Sequence, residues 1–440
     1  MAEANPEPGS IRNIYDLLTG DEDARVCRDI PDASCREQPR NFLIHIATLT
    51  ATKCGDWLSS PKLVLPWLLT QLGAPAFMLG LLVPVRESLS LVPQLFVASF
   101  IRRVAVRKWF WVAGSVLQGF AVGGMALTAM LLDGTAAGWA ILALLVIFSL
   151  ARGICSISSK DVLGKTISKS RRGTVSGYAE SAAGAVIIAV GVAGLVPADA
   201  NGNLAFYIAV LTAAALLWLL AAAIYSLLSE YAGATEGGGN AITEAVRQFA
   251  LIRQDRQLRQ FVIVRSLLLS TALVAPFYVS LASSGWGGQL SGPWCPDDRP
   301  RDSASFLSAP VWGRLSDQSS RKVMALAALV AGTTGIVTFL VAMYLAASVA
   351  AYWFPAAYFL LSIAHAGVRL GRKTHLVDIA TAENRASYVA VSNTIIGVML
   401  LLGGLFGGVA SMFGAAGAIL TLSIVALLAA VTAWKLDEAQ

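Results

Sequence analysis

The sequence predicts an all-α polytopic membrane protein, with twelve transmembrane helices arranged as two six-helix repeats and an atypical eighth span. Three observations carry that prediction. Of 440 residues, 56% are hydrophobic and 14% charged, and the mean hydropathy is +0.65, outside the range of ordinary soluble domains. Apolar runs recur, each with the roughly 20 residues needed to cross ~30 Å of hydrocarbon. Lys and Arg collect in alternate connections between those runs, and the arrangement recurs at a shift of 213 or 214 residues.

Residues 1–39 are polar and lack the apolar core of a signal peptide. They read as a cytoplasmic N-terminal tail, with an amphipathic turn at IRNIYDLL lying on the protein or membrane surface. An N-terminal six-helix bundle is expected over 40–230, a cytoplasmic linker over 231–257, a C-terminal six-helix bundle over 258–434 and a cytoplasmic C-terminus over 435–440. Apolar runs place spans at 42–72, 75–100, 109–132, 137–157, 175–198 and 203–229 in the first bundle, and at 258–283, 322–347, 351–371, 388–411 and 413–434 in the second.

Orientation follows from the basic residues, because cytoplasmic loops carry an excess of Lys and Arg. One set of connections holds Arg102, Arg103, Arg107 and Lys108, then Lys160, Lys165, Lys169, Arg171 and Arg172, then Arg247, Arg253, Arg256 and Arg259. It continues with Arg314, Arg321 and Lys322, and with Arg372, Lys373 and Arg385. The alternate connections, near 73, 134, 200, 349 and 412, carry no Lys or Arg. Both termini are therefore expected in the cytoplasm, with the chain in the inner cell membrane. The same loops account for the net charge of +6, so a nucleic-acid partner is excluded.

The count of twelve requires a crossing between about 286 and 312, where the sequence is unexpectedly polar. That stretch holds Asp297, Asp298, Arg299, Arg301 and Asp302, together with Pro296 and Pro300. Inserting five charges at roughly 3 kcal/mol each would cost on the order of 15 kcal/mol before pairing or snorkelling. A double frameshift over about 290–304 accounts for it: read one nucleotide later, codons for Pro-Trp-Cys-Pro-Asp-Asp can encode Leu-Gly-Ala-Leu-Met-Ile. An extended outer loop followed by a short span from about 303 is the other reading.

The repeat is anchored at several points. A shift of 213 places Arg152 on His365, Lys160 on Lys373 and Arg172 on Arg385, and a shift of 214 places Arg107 and Lys108 on Arg321 and Lys322. Arg40-Asn-Phe and Arg259-Gln-Phe open the first span of each half. Two six-span halves in parallel repeat are the architecture of one large class of transporters.

In the second half, GRLSDQSSRK over 313–322 resembles the cytoplasmic loop motif G-x-L-a-D-r-x-x-R-K of the major facilitator superfamily, which joins the second and third spans of each half. Gly313 then permits close helix approach, Asp317 caps or pairs at a helix end, and Arg321 and Lys322 anchor the next helix. In the first half the matching segment is ASFIRRVAVRK, with Ala98 for the glycine and Arg102 for the aspartate. The resemblance covers residues 40–434. It implies a secondary transporter working by alternating access, and it names no substrate. The fifth span has no proline in GYAESAAGAVIIAVGVAGLV, so an antiport signature is absent and export cannot be argued.

Ionisable groups within spans are costly, about 2.5–3.5 kcal/mol each at a helix centre, and so are candidates for substrate or proton handling. They are Lys53, Asp56 and Lys62 on span 1, Arg86 and Glu87 on span 2, Arg152 on span 4, Glu180 on span 5, Arg265 on span 7, and His365 and Arg369 on span 10. Lys53 and Asp56 are spaced to pair with each other along one helix. Alternatively, Asp56 or Glu87 is a proton-coupling carboxylate. Arg86, Arg152 and Arg265 favour an anionic or zwitterionic organic substrate, since a guanidinium binds carboxylate or phosphate bidentately. Arg152 also reads as structural, and His365 as a packed, hydrogen-bonded histidine.

The three histidines, His45, His365 and His375, make no metal or catalytic set, so neither an enzyme nor a metal or cofactor is expected. The five cysteines, Cys27, Cys35, Cys54, Cys155 and Cys295, are odd in number and lack C-x-x-C spacing, and are expected as reduced thiols. The expected partners are a small-molecule substrate, a proton and the lipid bilayer, with the chain acting as a monomer. A non-transporting receptor or sensor on the same fold is the alternative function.

Overall fold

The computed structural model describes residues 9–19, 30–91, 101, 104–168, 171–192, 204–232, 252–285, 308, 311–316, 318–345, 347–379 and 385–437. The polar run of 290–304 and its frameshift reading, the eighth span, Asp317 and most of the 231–257 linker lie outside the described residues. The elements are helices: α1 (Gly9–Thr19), α2 (Asp32–Arg36), α3 (Gln38–Leu58), α4 (Val64–Gln71), α5 (Ala76–Leu91), α6 (Lys108–Leu131), α7 (Gly134–Thr166), α8 (Arg172–Val192) and α9 (Leu204–Ser226). They continue with α10 (Arg256–Leu267), α11 (Ser270–Leu273), α12 (Ala275–Gly285), α13 (Ser320–Tyr344), α14 (Ala347–Asp378), α15 (Arg385–Gly403) and α16 (Phe406–Trp434).

Six helical stretches among the described residues are long and apolar enough to cross a membrane: Lys108–Leu131, Gly134–Thr166, Leu204–Ser226, Arg256–Ala282, Ser320–Tyr344 and Phe406–Trp434. Their outward faces are apolar too. On α6, Leu117, Phe120, Leu127 and Leu131 are exposed at helical spacing, as are Leu326, Leu329, Val337 and Leu340 on α13. Such surface is expected against lipid rather than water. Helices α3, α5, α8 and α14 carry ionisable groups: Lys53 and Asp56, Arg86 and Glu87, Glu180, and His365 and Arg369 respectively.

Two of the expected spans are interrupted. Between α3 and α4 the chain turns at Ser59–Leu63, where Pro61 lacks an N–H and disfavours helical geometry at Ser60. The 258–283 span is split into α10, α11 and α12, with Pro276 just inside the last piece. These breaks open the first span of each half, and irregular backbone at membrane depth is tolerated where it is buried or lines a polar space. The connections without Lys or Arg include tight turns: Gly73, Gly134 and Gly414 all adopt positive φ. Gly414 (φ 71°) turns the chain within α16, two residues after the connection expected near 412.

Helices α3 to α9 pack among themselves, with α6 against α7 and α9, α3 against α8 and α9, and α5 against α7. Helices α10 to α16 do likewise, with α13 against α14 and α16, and α10 against α15 and α16. The closest approaches are made by glycines. A Cβ at Gly119 on α6 would lie 2.9 Å from Leu219 and 3.2 Å from the Ala215 carbonyl on α9, and a Cβ at Gly332 on α13 would lie 2.7 Å from Leu427 and 3.0 Å from the Ser423 carbonyl on α16. The two groups meet where α5 packs on α15 and α16, and α4 on α12. There a Cβ at Gly80 would collide with the Gly407 backbone, and one at Gly407 with the Phe77 carbonyl. Ser88 on α5 donates to the Gly397 carbonyl on α15 at 2.6 Å.

Two expectations are corrected in the peripheral parts. The IRNIYDLL turn is a full helix, α1, docked on α3 and α8: Gln38 donates to the Tyr15 hydroxyl at 2.7 Å, Tyr15 packs edge-on against Phe42 at 5.2 Å, and the Tyr178 hydroxyl donates to the Leu18 carbonyl. Cys35 is disulfide-bonded, its partner lying outside the described residues, whereas Cys54 and Cys155 are free and buried. An odd cysteine count could not reveal which two sulfurs the folded chain brings together.

Candidate functional site

Asp56, two residues before the end of α3, is the centre of an ionic clamp. Its carboxylate accepts from Arg86 Nη2 on α5 at 2.6 Å and from Arg152 Nη1 on α7, which lies 2.6 Å from both oxygens. The Arg86 guanidinium also lies over the Phe148 ring, 4.5 Å from its centroid, a favourable face for a cation. Gly55 leaves room beside the clamp for the Trp218 indole, which a Cβ there would approach to 2.9 Å. Two guanidiniums on one carboxylate leave the trio with a net positive charge.

The local Lys53–Asp56 pair is not formed. Lys53 instead reaches Glu180 on α8 at 2.8 Å, because the two guanidiniums from neighbouring helices take both oxygens of Asp56. Arg152 joins Asp56 rather than only anchoring a helix end. Of the adjacent Arg86 and Glu87, it is Arg86 that reaches another helix. Glu87 lies in the field of Lys62, Arg86, Arg152 and Arg372, Lys62 acting most strongly.

His365 on α14 stands between the two helix breaks. Its Nε2 is 3.3 Å from Lys62 Nζ, in the turn between α3 and α4, and its Nδ1 is 3.1 Å from Thr271 Oγ1 on α11. The Thr271 hydroxyl donates to the Leu268 carbonyl at 2.9 Å. Since an ammonium can only donate, and since the threonine proton is used on the carbonyl, the neutral imidazole must accept at Nε2 and donate from Nδ1. Three hydrogen bonds thus run in one direction from the first group of helices into the second.

Arg265, on α10, is buried at 8% exposure. Its Nη1 donates to Ser392 Oγ at 2.5 Å and its Nη2 to Asn393 Oδ1 at 2.9 Å, both on α15, and its Nε has no acceptor. Arg372, which the sequence places in a connecting loop, is inside α14 and near enough to act electrostatically on Arg265.

Around the loop motif of the second half, nothing among the described residues lies within 4 Å of a Cβ at Gly313. Gly367 on α14 is closely approached, a Cβ there lying 2.7 Å from the Trp312 ring and 3.0 Å from Ala327. Arg321 Nη1 donates to the Leu436 carbonyl at 2.8 Å, just past α16, where a cation meets the negative end of the helix dipole. Ser319 caps α13 by accepting from Lys322 N, and Lys322 itself is exposed. His375, in the last turn of α14 beyond the 351–371 span, hydrogen-bonds Ser320 at 2.9 Å and stacks on Phe261. Burial, with help from Arg321, lowers its pKa to about 4.

In the first half, Glu230 supplies a carboxylate that the sequence reading missed. Its buried side chain accepts from the backbone N–H of Arg107 and of Lys108, at 2.9 and 2.6 Å, and from Lys165 Nζ at 3.0 Å. It thereby caps the N-terminus of α6, while Arg107 pairs with Asp161 at 2.5 Å. Near the start of α10, the Asp255 carboxyl accepts from the Tyr388 hydroxyl and the Leu258 N–H. Burial would raise its pKa, but these hydrogen bonds outweigh it and hold it below the usual range. No group of three or more His, Cys, Asp or Glu among the described residues could hold a metal.

Residues 303–440 match the family model of the Major Facilitator Superfamily, starting directly after Asp302, the last charge of the polar run. No curated protein matches the sequence. Solved structures match over nearly the whole chain. A POT family transporter in complex with 5-aminolevulinic acid has a TM-score of 0.70 at 12% identity, covering 92% of this chain and 98% of its own. The nucleoside transporter NupG gives 0.65 at 14% identity, covering 90% and 100%. The xylose transporter XylE from E. coli, in an inward open conformation, gives 0.64 at 12% identity, covering 90% and 96%. The chain is a multi-pass membrane protein with the major facilitator fold, its described elements all helical, and its residues 303–440 carry the sequence pattern of that superfamily.

Proposed function

We propose that the chain is a secondary active transporter of a small anionic or zwitterionic organic solute, working by alternating access and coupled to protons. The observation that carries this reading is the convergence of costly charges where the two groups of helices meet. Asp56, Arg86 and Arg152 form one clamp, and Lys62 and His365 form a hydrogen bond from one group to the other. Buried ionisable groups in a membrane protein mark solute or ion paths far more often than they serve stability.

The architecture proposed with it has twelve spans in two bundles, 40–230 and 258–434, with both termini in the cytoplasm of a cell whose inner membrane holds the chain. The equivalent close contacts of Gly119 and Gly332, themselves 213 residues apart, support a repeat at that shift. Asp56 and Glu87 are the coupling candidates, and Lys53, Arg86, Arg152, Arg265 and His365 the groups that contact or position the solute. Gly313, Asp317, Arg321 and Lys322 belong to the cytoplasmic gate loop.

Uptake into proteoliposomes under an imposed pH gradient tests the reading, with Asp56→Asn and Glu87→Gln as the coupling variants. Full gradient-driven accumulation in both variants removes the coupling assignment. Specific binding without flux across a broad metabolite panel favours a receptor or sensor.

A further inference from the structure

Three arginines of the first helix group are paired with carboxylates: Arg86 and Arg152 share Asp56, and Arg107 has Asp161. Arg265 differs from these three: its acceptors among the described residues are the neutral Ser392 and Asn393, and its buried Nε has none there. Arg372 adds a second positive charge close by and is itself repelled by Arg369. The acidic group that acts on Arg372 is Glu87, from the other helix group, and Glu87 already answers Lys62, Arg86 and Arg152. A buried cation without a counter-ion is costly, and breaking or omitting one partner of such a pair is among the most destabilising arrangements in a protein interior. Ser392 and Asn393 take two of the five guanidinium N–H groups and hold the fork in one orientation, which leaves donors for an acceptor from outside.

We propose that Arg265, oriented by Ser392 and Asn393 and reinforced by Arg372, is the binding subsite for the carboxylate or phosphate group of an organic anion. The proposal deepens the transport reading and rests on it only for the claim that this anion is cargo. It also narrows the charge type: Asp56 and Glu180 are taken by Arg86, Arg152 and Lys53, so the surplus at this site is cationic and an anion is preferred to a zwitterion.

The test is thermal unfolding of the purified full-length protein in detergent, titrated with inorganic phosphate, with succinate, and with glycerol as the neutral control. Wild type should show a saturable rise in Tm with phosphate or succinate and none with glycerol. Arg265→Gln should weaken the apparent affinity at least tenfold, Arg372→Gln severalfold, and Arg36→Gln, far from the site, not at all. Arg265→Lys keeps the charge without the fork and should lie between; it is the variant to read if Arg265→Gln does not fold. A saturable shift that survives both Arg265 variants overturns the proposal, as does the absence of any anion-specific shift in wild type. Transport of a neutral solute indifferent to Arg265→Lys would sink the subsite and leave the transporter reading standing. Saturable anion binding without flux would do the reverse.

Discussion

Lys62 and His365 lie 3.3 Å apart, one in the break that ends α3 and the other on α14, and through His365 the first break is joined to Thr271 in the second. The chain of donors has a fixed direction, so it depends on an uncharged imidazole. Replacing His365 by Ala should destabilise the protein by about 1–3 kcal/mol, because it removes the hydrogen bonds to both Lys62 and Thr271. His365→Gln, which can both accept and donate, should recover part of that. A Lys62→Met, His365→Ala double-mutant cycle should give a coupling of about 0.5–3 kcal/mol; strict additivity would mean the two residues do not act together.

The Asp56 clamp predicts a strong asymmetry between single and double variants. Asp56→Asn leaves Arg86 and Arg152 facing each other without their carboxylate and should cost about 3–5 kcal/mol in unfolding free energy. Adding Arg86→Met to Asp56→Asn removes one of the two cations and should recover a measurable part. Denaturation followed by circular dichroism of the helices measures both effects.

His375 predicts a specific acid sensitivity. Its folded pKa of about 4 lies below the unfolded value near 6.5, so the folded state binds fewer protons and stability rises with pH through that window. Above about pH 6.5 the group contributes no pH dependence. As pH falls from there to about 4, on the order of 3 kcal/mol is lost. Replacing His375 by Asn should flatten this part of the Tm profile while the rest of the acid limb remains, and an unchanged profile would assign the sensitivity elsewhere.

Glu230 should be worth more than a loop residue usually is. Glu230→Gln keeps one acceptor oxygen for the α6 cap but removes the charge that faces Lys165, and should cost on the order of 3 kcal/mol. Hydrogen exchange at the first turn of α6 checks it: protection at Arg107 and Lys108 should fall first. Uniform loss of protection across the chain would mean that the carboxylate is not a local cap.

The Cys35 disulfide and the cytoplasmic tail make opposing demands, since disulfides persist in oxidising compartments. Maleimide labelling of the protein taken directly from cells separates them. Labelling of Cys35 without reductant agrees with a cytoplasmic tail. Labelling only after reduction, with the thiol blocked during lysis, places the tail in an oxidising space and reverses the orientation drawn from Lys and Arg.

Much of the site was legible as a set of residues and little of it as a set of partnerships. Asp56, Arg86, Arg152, Arg265 and His365 stand out because each carries a polar cost inside an apolar run, a signal that needs no structure. Periodicity along a helix states which residues share a face but not which neighbouring helix that face meets, so Lys53 and Asp56 looked like partners of each other. Thr271 bears no charge and gave no such signal. Arg372 was read as a loop charge, because hydropathy cannot distinguish a loop from the continuation of a helix past the apolar span, and Glu230 gave no signal because a carboxylate beyond a helix end looks like any loop charge. The close approach at Gly367 was marked by no motif.

The contact between Gly80 and Gly407 carries a mechanical consequence. Backbone meets backbone there with no side chain between, at one point of a seam whose remainder is a shared apolar core: Met78 and Leu82 of the first group and Leu273 and Phe277 of the second belong to one buried cluster. A single methyl at either glycine would wedge the two backbones apart and strain that shared core, a disturbance that needs none of the charges around Asp56.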